Sequence, residues 1–155
     1  MSLRQNLWED DLTQVDIRPR LSVTPDTSIG TAIETMREAR AGELLICQGD
    51  DLRGIFTERD YVKRVLNADA NLDDPISGVM TPDPVTAAIS EPIGAVIRTM
   101  FEGHYRHLPV VDQAGKPVGT VSVKRIVEYL VDHFPETVYN LPPQPRQVQG
   151  AREGA

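Results

Sequence analysis

Ile29, Ala32, Ile33, Met36 and Ala39 recur at steps of three and four, the spacing of one buried helical face. An unbroken apolar run, Leu44 to Cys47, follows. After Gly49-Asp50-Asp51 a second run extends from Leu52 to Phe56, so the pair reads as two strands joined by a turn. Thr57 then opens another helix, marked by Tyr61, Val62, Val65 and Leu66. Upstream, Arg20 to Thr24 are extended into Pro25, and Asp26, Thr27 or Ser28 is placed to cap the first helix. Gly42 is expected to stop that helix. The predicted order is β-α-β-β-α.

The same order then returns. Val85 to Ala88 are extended, and Ile93, Val96, Ile97 and Met100 stripe a helix. Leu108 to Val111 form a strand, Asp112 to Lys116 a turn and Pro117 to Val121 a second strand; Ser122 starts a helix through Ile126, Val127, Leu130 and Val131. Ile29-Gly30, Ile33, Thr35-Met36 and Leu44 reappear 64 positions later as Ile93-Gly94, Ile97, Thr99-Met100 and Leu108. Gly54-Ile55-Phe56-Thr57 reappears 65 positions later as Gly119-Thr120-Val121-Ser122.

The fold class expected is α/β (α+β): two tandem repeats with pseudo-two-fold symmetry, each a three-stranded sheet packed with helices. One face of each sheet lacks cover, so the copies should pack together around a cleft. The repeats are assigned to residues 16–70 and 85–133, with 71–84 as a linker containing a half-turn at Pro75 to Met80. Residues 1–15, with Leu3, Leu7, Trp8 and Leu12, read as a short amphipathic segment that packs on the body or on a second subunit. Residues 134–155 read as a Pro-rich tail: Leu141 to Pro145 are polyproline-like, the last ten residues are expected to be disordered, and Tyr139 and Leu141 are candidates for docking on a neighbouring surface.

Composition narrows the function. In 155 residues, 16 Lys and Arg face 23 Asp and Glu, a formal charge of -7 that disfavours a broad nucleic-acid or anionic-membrane surface. Cys47 is the single cysteine, and its apolar neighbours predict a buried strand thiol. The chain shows no secretory or membrane-spanning apolar stretch, so a cytoplasmic location is expected. His104 and His107 lie three apart but past the helix, and His133 is remote. No metal set and no nucleophile–base–acid set emerges, so no enzyme activity is expected.

Thr57-Glu58-Arg59-Asp60 carries two readings. Thr57 caps the helix while Asp60 reaches back to the backbone, or Thr57 faces the cleft while Asp60 accepts both hydroxyls of a ribose through its two oxygens. In the second copy Arg125 stands where Asp60 stands in the first, and a guanidinium accepts no hydrogen bond. Arg106 and His107, just before the second-copy strand, are candidates for a phosphate, which the amides at the start of the Ser122 helix would also favour. A solvated basic edge, with the histidine against Tyr105, is the alternative. The corresponding first-copy residues are Gly42-Glu43.

The segments Met80-Thr81-Pro82, His107-Leu108-Pro109-Val110-Val111-Asp112, Gly54-Ile55-Phe56-Thr57-Glu58-Arg59-Asp60 and Gly119-Thr120-Val121-Ser122 resemble a tandem pair of cystathionine-beta-synthase (CBS) domains, a Bateman module. The resemblance spans about residues 12 to 133. It implies a regulatory module that binds an adenine nucleotide (AMP, ADP or ATP) or a related adenosyl compound, dimerises, and signals to a separate effector protein. Ser122-Val123-Lys124-Arg125 is similar to one repeat of the AMP-activated kinase gamma subunit, where the lysine holds a phosphate. Carried over, Lys124 becomes a phosphate contact for the site built on Asp60, giving one strong site and one weak or empty one. The site residues so assigned are Thr57, Asp60, Arg106, His107 and Lys124. S-adenosylmethionine is a less favoured ligand because its cationic groups suit these basic residues poorly. A scaffold with a vestigial cleft, or nucleic-acid binding through Lys124-Arg125, are the other readings.

Overall fold

The computed structural model describes residues 2–135; what is expected of residues 136–155, including Tyr139 and Leu141, lies outside them. Helix α1 (Leu3–Glu9) leads to the short strands β1 (Arg18–Pro19) and β2 (Ser22–Val23). The first repeat continues with α2 (Ile29–Ala39), β3 (Glu43–Gln48), β4 (Asp51–Thr57) and the single turn α3 (Glu58–Asp60). That turn widens into a π-helical segment, Tyr61–Leu66. The second repeat comprises β5 (Thr81–Pro82), β6 (Ala87–Ala88), α4 (Ile93–Gly103), β7 (His107–Val111), β8 (Pro117–Ser122) and α5 (Val123–His133). The counterpart helices therefore differ: α5 is a regular eleven-residue helix.

Helix starts follow the side chains. Ser28 caps α2 by accepting from the Thr31 amide at 3.1 Å, and Ser122 caps α5 by accepting from the Arg125 amide at 3.2 Å. The stops differ from expectation. Gly42 does not end α2; Arg40 does, in the left-handed conformation (φ 51°). His104 ends α4 in the same way (φ 56°), at the equivalent position. Each tolerates a conformation usually given to glycine.

Three strands of each copy form one sheet as expected, but each sheet gains a fourth. The orders are β2-β3-β4-β5 and β1-β8-β7-β6. The added strand is the two-residue segment that precedes the other repeat: β1 pairs antiparallel with β8, and β5 with β4. Two equivalent glycines permit this. A Cβ on Gly119 would lie 2.2 Å from the Arg18 carbonyl oxygen, and one on Gly54 would lie 2.9 Å from that of Thr81.

The same exchange builds the cores. Leu12 and Val15 pack with Ile93, Val96, Leu108, Val110 and Val121 of the second repeat, whereas Ile76 and Val79 pack with Ile29, Leu44, Ile46 and Phe56 of the first. Leu12 and Ile76 are both 0% exposed and stand 64 positions apart, so the repeat extends upstream into what composition marks as terminal segment and linker. Their surroundings match: Asp11 bridges Pro92, and Pro75 bridges Ser28. Helix α1 lies on α4 with the Arg98 guanidinium 5.1 Å from the centre of the Trp8 ring, and the Tyr129 hydroxyl donates to Asp10. A third cluster, Leu45, Cys47 and Ile55, lines the opposite face of the first sheet. Cys47 is buried, and that burial raises its thiol pKa.

Candidate functional site

Glu43 opens β3 and His107 opens β7, so the two occupy equivalent places in the repeat. They meet: His107 Nε2 lies 3.1 Å from Glu43 Oε2. Glu43 is 5% exposed and also accepts from the Thr120 hydroxyl at 2.9 Å, with Arg18 Nε 3.4 Å away. Burial acts to raise its pKa. The His107 hydrogen bond and charge, the Thr120 hydroxyl and Arg18 together outweigh burial and leave the carboxyl below the usual glutamate range.

Arg106 and His107 line a cavity on either side. The first, of about 590 Å³, has Thr57, Asp60 and Thr81 on one wall, and Ile55, Pro84, Val85, Tyr105 and Leu108 among its apolar lining. The second, of about 490 Å³, is bounded by Arg18, Arg40, Glu43, Ser122, Lys124 and Arg125.

Asp60 is 8% exposed because β5 covers it. Its Oδ2 accepts from the Thr57 amide at 3.0 Å and the Thr57 hydroxyl at 3.2 Å, and its own amide donates to Thr57 Oγ1 at 3.3 Å. The capping reading is thus realised as a complete box. Asp60 Oδ1 accepts from the Thr81 hydroxyl at 3.2 Å, and Arg64 Nε approaches to 3.7 Å. A carboxylate oxygen offers about two acceptor positions, so Oδ1 keeps one for a ligand.

Of the five assigned residues, Thr57, Asp60, Arg106 and His107 therefore line one cavity, and Lys124 does not. Lys124 is the second residue of α5 and lines the other cavity beside Ser122 and Arg125, with Arg106 and His107 shared between the two. The structure thus separates Lys124 from Asp60 by Arg106 and His107, which line both cavities. His107 is not part of a solvated edge packed on Tyr105; it is tied to Glu43. Arg125 turns to Asp16, 2.8 Å away. Sequence reasoning missed Arg18, Arg40, Thr81 and the role of Glu43. Thr81 was signalled only as part of the Met80-Thr81-Pro82 segment, and Glu43 only by its register with His107.

Among the described residues no group of three or more His, Cys, Asp or Glu could hold a metal ion, and no helix is long and apolar enough to cross a membrane.

The CBS domain family matches residues 12–67 and again 76–132. The CBS domain-containing protein CBSCBSPB3 of Arabidopsis thaliana is 28% identical over 128 residues, covering 81% of this chain and 23% of the plant protein. The chain thus spans about a quarter of that relative's length. Among solved structures, the CBS domain protein PAE2072 from Pyrobaculum aerophilum, complexed with AMP, superposes with a TM-score of 0.71 at 20% identity, covering 79% of this chain and 99% of that one. The CBS domain pair of MJ0100, in complex with 5′-methylthioadenosine and S-adenosyl-L-methionine, gives a TM-score of 0.71 at 24% identity over 80% of this chain and 98% of its own. At these identities the likeness is one of fold.

Proposed function

The chain belongs to the CBS-domain family, and on that premise we propose that it is a regulatory, non-catalytic module that holds an adenine nucleotide in the Asp60 cleft. The observation that carries this reading is the set of groups brought to one cavity: the buried Asp60 carboxylate from the first repeat, Arg106 and His107 from the second, and the apolar side chains of Ile55, Val85, Tyr105 and Leu108. The free position on Asp60 Oδ1 would take one ribose hydroxyl. A second hydroxyl would replace the Thr57 or Thr81 hydroxyl as donor to the same carboxylate. Adenine would lie among Ile55, Val85, Tyr105 and Leu108, and Arg106 and His107 would receive the phosphate. The proteins PAE2072 and MJ0100, which share this fold, hold adenosyl compounds. Basic walls favour AMP, ADP or ATP over S-adenosylmethionine.

A ligand touching both repeats stabilises whichever arrangement of the cleft fits it, and that difference in affinity is the signal. Its reader would be a separate effector protein. Phe101, 80% exposed, and Val127, 48% exposed, offer apolar surface that a homodimer would cover.

Mass spectrometry of small molecules released from freshly purified protein, followed by competition among AMP, ADP, ATP and S-adenosylmethionine, tests the reading. An adenine nucleotide that outcompetes S-adenosylmethionine supports it. Protein that takes up none of these is a scaffold with an idle cleft.

A further inference from the structure

The two cavities occupy equivalent places in the repeats yet differ in chemistry at matched positions. Ile55, on the apolar wall of the Asp60 cleft, is replaced by Thr120, whose hydroxyl is committed to Glu43. Asp60 is replaced by Arg125 and its partner Thr81 by Arg18, each substitution exchanging an acceptor or a hydroxyl for a cation. Among the described residues lining the second cavity, Val123 is the one large apolar side chain. The second cavity therefore lacks both the acceptor a ribose needs and the walls a base needs.

What it has is positive charge without a partner. Glu43, the one acid on its lining, is already engaged by Arg18 and His107, and Arg125 is engaged by Asp16. Arg40, Arg106 and Lys124 make no ion pair with any described residue. They converge from three separate segments: the end of α2, the approach to β7 and the first turn of α5. In that turn the Val123 amide donates to the Arg106 carbonyl and the Arg125 amide to Ser122 Oγ, whereas the Lys124 amide has no acceptor among the described residues. The positive end of the α5 dipole adds to the same field.

We propose that this second cleft is a site for a condensed inorganic phosphate, a di- or triphosphate carrying no nucleoside. A phosphate chain spreads several negative charges along its length. Its charge can balance Arg40, Arg106 and Lys124 together, whereas orthophosphate carries fewer than two negative charges at neutral pH. Guanidinium groups favour this through paired donors, the lysine through a mobile point charge. Because the lining is open to solvent, binding should weaken as salt rises.

Calorimetric titration with sodium tripolyphosphate at low and moderate salt tests the proposal, using the wild-type chain and the exposed variants Lys124→Gln and Arg40→Gln, with Asp60→Asn as control. The expected result is saturable binding that falls at least tenfold in each of the first two variants, is unchanged in Asp60→Asn, and declines steeply with salt. Absence of saturation, equal binding of orthophosphate, or loss in Asp60→Asn would overturn it. AMP uptake without tripolyphosphate uptake removes this site and leaves the Asp60 reading intact; the reverse outcome does the opposite.

Discussion

Glu43 and His107 are each other's counterpart in the two repeats, and they touch at 3.1 Å. A two-fold operation leaves only points on its axis in place, so a residue in contact with its own equivalent marks that axis. Two identical side chains there would meet as like neighbours. This chain places an acid against an imidazole, and Arg18 and Thr120 complete the shell. His107 lines both cavities and Glu43 one of them, so the contact that joins the repeats also borders both cavities.

Acid should loosen this joint. The folded-state pKa of Glu43 lies below its ordinary value of 4.5, so folding favours the ionised form. Its contribution is complete above about pH 4.5 and is lost as pH falls through the lowered folded value. Urea unfolding measured from pH 7 down to pH 3 should show wild type losing stability over this range more steeply than Glu43→Gln. At neutral pH Glu43→Ala should cost about 1–3 kcal/mol, because it strands the buried Thr120 hydroxyl and removes the partner of His107. Parallel pH profiles for wild type and Glu43→Gln would contradict this.

Among the described glycines, the exchanged strand gives Gly119 the closest backbone neighbour. A methyl group there meets the Arg18 backbone at 2.2 Å, and backbone cannot swing aside as a side chain does. Gly119→Ala should push β1 off β8, cost about 1–3 kcal/mol or more, and release the Arg20 amide, which donates to the Val118 carbonyl at 3.1 Å. Hydrogen exchange at Arg20 reads this directly. Gly30→Ala is the control: its new Cβ would lie at an ordinary 3.4 Å from Leu72 O, so it should leave that amide protected.

Leu12 lies outside the second repeat in sequence but inside its core, with none of its surface exposed. Leu12→Ala should cost about 2–5 kcal/mol, the range for truncating a buried leucine. Hydrogen exchange should locate the loss in β7, β8 and α5 before β3 and β4. Equal loosening of both repeats would show that Leu12 supports the whole molecule instead.

The repeats and their elements were legible because burial imposes a period: Ile29, Ala32 and Met36 are buried, as are their counterparts Ile93, Val96 and Met100. Thr57 with Asp60, and Ser122, were legible because a helix start needs an acceptor for its free amides. The fourth strands were not, since two residues such as Arg18–Pro19 carry no alternation to detect. The place of Leu12 was hidden in an otherwise polar stretch, although its register with Ile76 was available. The cavity that Lys124 lines was not legible, because a resemblance to a kinase gamma-subunit repeat says nothing about which side of Arg106 and His107 its side chain occupies. Glu43 was passed over for a related reason: a carboxylate at a strand start acquires meaning only when the axis brings His107 to it.

Calorimetric titration of AMP into wild type, Asp60→Asn and Arg106→Ala tests the central claim, that one cleft holds a nucleotide between a carboxylate and a cation from opposite repeats. Each variant removes a charged hydrogen-bonding group from one wall, and such bonds contribute about 1.5–3 kcal/mol. Saturable binding by wild type is expected, with a loss of about tenfold or more in each variant and unfolding in the absence of AMP still cooperative. Wild type that fails to saturate, or affinity indifferent to both substitutions, would contradict it.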